Sequence, residues 1–505
     1  MTHRIETYIA SAAGLEILSG RGARGLAPVL GWADGAGSFV ILDTFELGVR
    51  TSQRLLLDDG HRLALIPSTG ETLTQPTRPG ARFVAGFAAG AVRSALAGLS
   101  PLRALLPVAT GTMRSGRLAL VDDEGKSRVR ADLRELRPTD GNAVLIVTVQ
   151  GLRGYRRACR DLIALVRDAG GLPLASCNPY RMIDPARTGY TARPQIGIGR
   201  DESALEAGND LIVAHLAVAR ANESGVIDDL DTEFLHDYRI ALRKIRSVLS
   251  LFKGVYDPDQ NALLKARFSA LMAPTGRLRD LDVYLLEQDH LSDLLPPQMQ
   301  VGLDRMFALL KSRRAVEQST LATHLGNEAY QREIGALQRL FATQGDIRPG
   351  PNASRASYRL ACELSWKRYR RIGRIARDLT PVTPDEDIHA LRIECKKLRY
   401  LLEFFAPVFP AGDLGAILKA VRRLQDSLGV FNDCAVQQAG LRAFADDLGD
   451  VPHRMDIVQS LGALITVLHQ KQAAEREKIV AAFARFNSDR TRRIIRRMLH
   501  AGKGS

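Results

Sequence analysis

The chain has 505 residues, 45% of them apolar and 25% charged, with 43 Gly and 22 Pro. These are ordinary proportions for folded domains, and they exclude collagen-like, low-complexity and wholly disordered classes. With 70 Lys+Arg against 56 Asp+Glu the net charge is +14, which predicts attraction to polyanions such as nucleic acid, phosphate polymers or an acidic membrane surface.

At roughly 150 residues per domain, the length allows about three domains. The start, Met1-Thr2-His3-Arg4-Ile5-Glu6, lacks the charged-then-apolar layout of a secretory signal. Gly20-Arg-Gly22-Ala-Arg-Gly25 satisfies G-x-G-x-x-G, with Asp43 following 18 residues later. The segment between contains Pro28, Gly31, Gly35 and Gly37 and makes a poor crossover helix, so the motif reads as a flexible turn. The runs Phe39 to Leu42 and Val144 to Val147, bounded by Gly or Asp clusters, predict buried strands. Residues 81–107 read as a helical stretch, and Gly154 to Arg167 as an amphipathic helix.

Pro185 to Gly208 is rich in Pro, Gly and polar residues and reads as a linker. Beyond it, Leu, Ala, Arg and Glu recur at helical spacing almost to the end. The expected organisation is an α+β domain at 1–190, a linker at 191–204 and an all-α domain at 205–505. No apolar run approaches the ~20 residues of a spanning helix. The five cysteines are scattered without a C-x-x-C pair, as suits a reducing compartment. A soluble cytoplasmic protein is expected.

The helical part repeats itself. His236-Asp-Tyr-Arg239-Ile-Ala-Leu-Arg243-Lys244-Ile-Arg246 recurs as His389-Ala-Leu-Arg392-Ile-Glu-Cys-Lys396-Lys397-Leu-Arg399, an offset of 153. The register holds through Leu249/Leu402, Phe252/Phe405 and Val255/Val408 to Asp280/Asp433 and Val283/Val436. Chance does not keep register over such a distance, so the unit is duplicated, in halves at about 205–350 and 351–500.

At about 100° per residue, His236, Arg239, Arg243 and Arg246 share one helix face, with Leu242, Ile245, Leu249 and Phe252 opposite. His389, Arg392, Lys396 and Arg399 repeat the stripe, and Lys244 and Lys397 flank the two rows. Like charges at i,i+4 repel by a few tenths of a kcal/mol, and a multiply charged anion would relieve them, with Arg forks matching phosphate oxygens. A solvated basic face is the plainer alternative. Metal ligation by the histidines is disfavoured, because Arg239 and Ile240, or Arg392 and Ile393, stand where partner ligands would be needed.

The doubled H-x-x-R-x-x-x-[RK]-K-x-R and the trailing Leu428-Gly-Val-Phe-Asn432-Asp433 resemble the CHAD domain, the conserved-histidine α-helical domain, over residues 205–500. The resemblance implies two four-helix bundles related by pseudo-twofold symmetry, with a basic groove between them that binds inorganic polyphosphate and association with polyphosphate granules. Carried over by position, the ligand residues are His236, Arg239, Arg243, Lys244 and Arg246 with His389, Arg392, Lys396, Lys397 and Arg399. Lys367, Arg370, Arg371 and Arg374 form a second tier. Asp280 and Asp433 are expected to position cations or caps. The halves differ at Met272-Ala273-Pro274 against Gln425-Asp426-Ser427.

The first 190 residues resemble the CYTH domain, the fold of the triphosphate tunnel metalloenzymes, an antiparallel β tunnel. Phe39 to Leu47, with its Asp43-Thr44, is similar to a strand of that family, and Val144 to Gly151 to its late Glu-x-Glu strand. Thr148 and Gln150 stand where the family's glutamates would be, and Ile5-Glu6-Thr7-Tyr8-Ile9-Ala10 keeps one acid and no lysine. With few anionic oxygens to hold a hard divalent metal, the domain is expected to be degenerate and non-catalytic, without metal or other cofactor. The competing readings are a metal-dependent triphosphatase and a nucleic-acid-binding module. Against the latter stands an aromatic content of 6%, low for a surface that stacks bases.

Overall fold

Ten strands make one sheet in the first part of the chain: β1 Ile5–Ser11, β2 Ala27–Trp32, β3 Gly37–Asp43, β4 Arg54–Asp58, β5 Arg62–Pro67, β6 Leu73–Pro76, β7 Leu106–Val121, β8 Ser127–Pro138, β9 Val144–Gly151 and β10 Leu172–Pro173. A computed structural model describes residues 5–186, 189–343, 346–380 and 382–500. It divides into two units, Met1–Thr191 and Ala192–Ser505.

The strand order is β10-β1-β9-β8-β7-β3-β4-β5-β6, with β2 paired to β7, and the pairings are antiparallel. After β5 the chain returns to β1: Thr7 N–H donates to Ser68 O (2.9 Å) and Gly70 N–H to Ile5 O (3.1 Å). The circuit of strands is thereby closed, which pairs an edge that would otherwise be open. Side chains alternate across it with the period of two that strands impose. Ile9, Ile41, Leu57, Ile66, Leu136 and Ile146 enter one cluster with Tyr180. Tyr8, Leu133, Val147 and Val149 face the other way, against Leu162 and Val166.

Five helices accompany the sheet: α1 Gly14–Gly20, α2 Gly48–Thr51, α3 Ala91–Ala95, α4 Arg156–Asp168 and α5 Pro179–Ile183. Of these, α4 is the amphipathic helix expected after β9. The helix expected over 81–107 does not form; that stretch holds a 3-10 turn, Val84–Gly86, and the five residues of α3. Gly86, Gly90 and Gly98 weaken a helix interior, and tertiary contacts hold the backbone instead. A Cβ on Gly90 would come within 2.5 Å of Gln75 Oε1, the atom that accepts the Arg93 N–H at 3.1 Å. The Gly20 to Gly25 motif is a turn into β2, with Arg24 and Gly25 at φ 47° and 79°.

The second unit is helical: α6 Ala204–Ile227, α7 Thr232–Leu251, α8 Pro258–Met272, α9 Gly276–Leu286, α10 Gln288–Asp293, α11 Pro297–Gly326, α12 Glu328–Ala342, α13 Ser357–Ile375, α14 Asp385–Phe404, α15 Ala411–Asp446, α16 Arg454–Phe486 and α17 Asp489–His500. Local signals start these helices. Ser203 and Glu206 make a reciprocal capping box for α6, and Asp231 caps α7 by accepting from Glu233 N–H and Phe234 N–H. Gly225 lets the Phe234 ring lie against α6, since a Cβ there would fall 2.1 Å from the ring.

The duplication is visible as contacts between residues and their own counterparts. Ser203 bridges to Ala356, the rings of Phe252 and Phe405 stack with centroids 4.9 Å apart at 11°, and the Tyr284 hydroxyl donates to Gln437 O at 3.1 Å. Each pair is separated by 153 positions, so each lies beside the axis relating the halves. The halves differ where the sequence departs. A 3-10 turn, Ala273–Thr275, interrupts the first, because Pro274 lacks an N–H and its ring obstructs the preceding turn. The second runs through as α15, 36 residues long. Leu303, Phe307 and Leu310 of α11 share a core with Leu461, Leu464 and Leu468 of α16. Among the described residues no helix is long and apolar enough to cross a membrane, and the five cysteines are buried and free.

Candidate functional site

Helices α7 and α14 pack on each other near the axis. Their apolar sides are fully buried, with Leu242, Ile245, Leu249 and Phe252 all at 0% exposure, so the basic side of each is turned away from its own bundle core. Lys396 and Arg243, which occupy corresponding positions in the repeats, lie close enough for their charges to repel. Burial and then Arg392, Arg243 and Arg399 push the Lys396 ammonium down to about 8, against the opposing pull of Asp433. Arg243 comes from the other half of the duplication. Lys244 is likewise held below the usual lysine range by burial, with Glu403 and Asp237 favouring its charge and Arg193 and Arg399 opposing it.

In the first half, Arg239 donates to Thr275 Oγ1, and Arg246 points an N–H at Met272 Sδ (3.4 Å). Burial opposes the charge on Arg239; Asp280 supports it, while Arg243 and Arg279 add to the repulsion. In the second half, His389 Nδ1 meets Asn432 Oδ1 at 2.7 Å, and Arg392 donates to Asp433 Oδ1 at 3.4 Å. Arg399 approaches Glu403 at 3.9 Å. His236 begins the row on α7, one turn before Arg239.

Three guanidinium N–H groups here, Arg243 Nε, Arg279 Nη1 and Arg399 Nε, are buried without a hydrogen-bond partner. Such groups are costly for the fold alone and well disposed to an anion's oxygens.

The site does not include all the expected residues on equal terms. Lys397 donates to Glu394 at 2.8 Å, and Arg368 donates to the same carboxylate at 3.0 Å, with Arg371 at 3.5 Å. Glu394 is 3% exposed, and these cations hold its carboxyl below the usual range in spite of burial. Lys397 therefore has an internal partner. Lys367, Arg370 and Arg374 are exposed on α13.

Arg279 and Glu394 escaped the reading of motifs. The 153 offset places Arg279 at the position of Asn432, so extending the alignment residue by residue would have found it. A cavity of about 790 Å³ between α9, α11 and α15 borders the site at Asp280, but Arg277, Arg313, Glu317 and Asp447 line it with both signs of charge.

In the first unit, Thr148 and Gln150 line a cavity of about 390 Å³ together with Glu71 and Asp132. Gln150 donates to Asp132 Oδ2 (2.7 Å), and Thr148 Oγ1 lies 3.3 Å from Thr7 Oγ1. Glu6 accepts from the Tyr8 hydroxyl (2.6 Å), one position out of phase with Thr7 and hence on the opposite face. Asp43 is buried and accepts from Thr44, Val49 and Arg50 N–H and from the Tyr180 hydroxyl. It is a clamp for the turn after β3. Among the described residues no group of three or more His, Cys, Asp or Glu could hold a metal ion.

Comparison with known proteins bears on the helical unit. Residues 210–442 match the family model of the CHAD domain. The crystal structure of the CHAD domain from the plant Ricinus communis is similar at 23% identity and a TM-score of 0.49, covering 59% of this chain and 96% of that one. PptA from Streptomyces chartreusis is similar at 16% identity and a TM-score of 0.43, covering 56% of this chain and 99% of that one. No curated protein sequence matches. With its doubled basic motif and duplicated helices, the stretch 210–442 of this chain belongs to the CHAD domain family.

Proposed function

We propose that the helical unit binds inorganic polyphosphate, using the cation rows of α7 and α14 as one site. The observation that carries this reading is that Arg243 and Lys396, one from each half of the duplication, lie close enough for their charges to repel, beside single guanidinium N–H groups that are buried without a hydrogen-bond partner. A phosphate chain bears a negative charge on every unit and has no apolar part. Cations on two sides hold such a chain better than a single row, and each phosphate contact contributes to the salt dependence of binding.

The test is a pair of triple variants. Changing Arg239, Arg243 and Arg246 to Ala should weaken binding of chains of roughly ten or more phosphates by about a hundredfold or more, although Arg392, Lys396 and Arg399 remain; the reciprocal change should do the same. Both should flatten the plot of log affinity against log salt. If the variant carrying all six changes loses one more binding event in calorimetry than either triple variant does, one shared site is replaced by two independent ones. Long polyphosphate should also displace single-stranded DNA far better than the reverse, and a tagged helical unit should collect on polyphosphate granules in cells that contain them.

The first unit, in this reading, is a non-catalytic relative of the triphosphate tunnel fold. Tripolyphosphate and nucleoside triphosphates should not be hydrolysed above background with Mg²⁺ or Mn²⁺. Metal-dependent turnover that disappears in Glu6→Gln or Asp43→Asn would overturn that part of the proposal.

A further inference from the structure

A cavity of about 550 Å³ lies between α15, α16 and α17, and no residue of α7 or α14 is in its lining. Lys419 and Arg423 reach it from α15, Arg485 from the end of α16 and Arg490 from the start of α17. All four are exposed, and none forms an ion pair among the described residues. One acid, Asp426, borders the cavity. Asp489, the nearest acid on α17, is held by Arg492, and Asp413 by Arg497.

The duplication supplies an internal control. Ala266 and Ala270 of α8 stand where α15 has Lys419 and Arg423. Of the two cations on α8, Arg267 is neutralised by Glu333 of α12 at 2.6 Å, and Lys265 stands where α15 has Leu418. Helix α12 balances Arg332 and Arg339 with Glu328 and Glu333, whereas α17 sets Arg490, Arg492, Arg493, Arg496 and Arg497 against Asp489. The first half thus forms the same helices without this concentration of charge, so the fold does not require it. Like charges around one cavity repel and so oppose its formation.

We infer that this cavity is a second anion site, which takes a short run of condensed phosphates and is separate from the α7–α14 rows. The lining favours phosphate over other polyanions. Its ring, Phe486, is 2% exposed, so a nucleic-acid base finds no face on which to stack. No large apolar side chain of the lining is among the exposed ones, so nothing is offered for insertion into a bilayer. Two sites on one chain would let a single molecule hold two segments of a polymer, or join two polymers.

The experiment is calorimetry of the full chain with a polyphosphate of roughly ten units, for the wild type, for the Lys419→Ala, Arg423→Ala, Arg485→Ala, Arg490→Ala variant, and for the Arg239→Ala, Arg243→Ala, Arg246→Ala variant. Two binding events are expected in the wild type. The cavity variant should lose one of them, with at least a tenfold fall in its affinity, and keep the other unchanged. Lysine at the three arginine positions should retain both. If the cavity variant titrates like the wild type, or if the α7 variant removes both events, the second site is overturned. Persistence of the cavity event in the α7 variant supports it even where the proposed role of α7 and α14 fails. Single-stranded DNA or phosphatidylglycerol vesicles that bind the cavity more tightly than the oligophosphate would also overturn the assignment.

Discussion

His215, Ala241 and Lys244 of the first repeat correspond to Arg368, Glu394 and Lys397 of the second. In the first, burial and the neighbouring Lys244 push the His215 imidazole down to about 3, so a neutral ring lies between the helices at pH 7. In the second, a buried carboxylate gathers Arg368, Arg371 and Lys397. Either arrangement lets a basic helix pack against its neighbour, one by burying a neutral group and the other by compensating charge. The difference reaches the surface. Lys397 is tied at 2.8 Å to Glu394, whereas Lys244 has no such contact among the described residues and is helped by the fields of Glu403 and Asp237. Corresponding lysines are therefore unequal as ligands, although the motif that contains them is the same.

The comparison can be broken most severely at the axis. Phe252→Ala and Phe405→Ala should each cost about 3–5 kcal/mol in denaturant unfolding of the helical unit. Because the two rings stack on each other, the double variant should cost less than the sum, by about 1 kcal/mol. Strict additivity would show that the repeats do not share this contact. Next comes the compensation itself. Glu394→Ala leaves the half-buried Arg368 without its carboxylate, while Arg371 and Lys397 can turn to solvent, and should cost about 2 kcal/mol; a loss below about 1 kcal/mol would mean that water already compensates Arg368.

The smallest effect separates Arg243 from its counterpart Lys396. Burial and the neighbouring cations push the lysine of the free protein down to about 8, below the usual lysine value. Bound phosphate favours the protonated form, so binding must take up a proton above about pH 8. Affinity should therefore fall as pH rises from 7 to 9, by about fivefold, roughly 1 kcal/mol. Lys396→Arg should flatten the profile. Stability of the free protein should move the other way. The unfolded lysine keeps its proton up to about 10.4 while the folded one has lost it, so this residue's contribution rises with pH between about 8 and that value.

The amino-acid sequence by itself determined the duplication, its register and the two faces of α7 and α14. The reason is that helical periodicity is local: Leu242, Ile245 and Leu249 are placed opposite Arg239, Arg243 and Arg246 by rotation per residue alone. Strands β3 and β9 were legible for the same reason. The span 81–107 was not, because Ala-rich composition favours a helix while Gln75, distant from Gly90 in the sequence, sets the backbone there. Only the tertiary structure decided which cations are already engaged. Arg368 of α13 against Glu394 of α14, and Asp433 of α15 beside Arg392, are brought together by helix packing over separations that no periodicity encodes. A charge acts according to its neighbours and its burial, and both are properties of the packed chain.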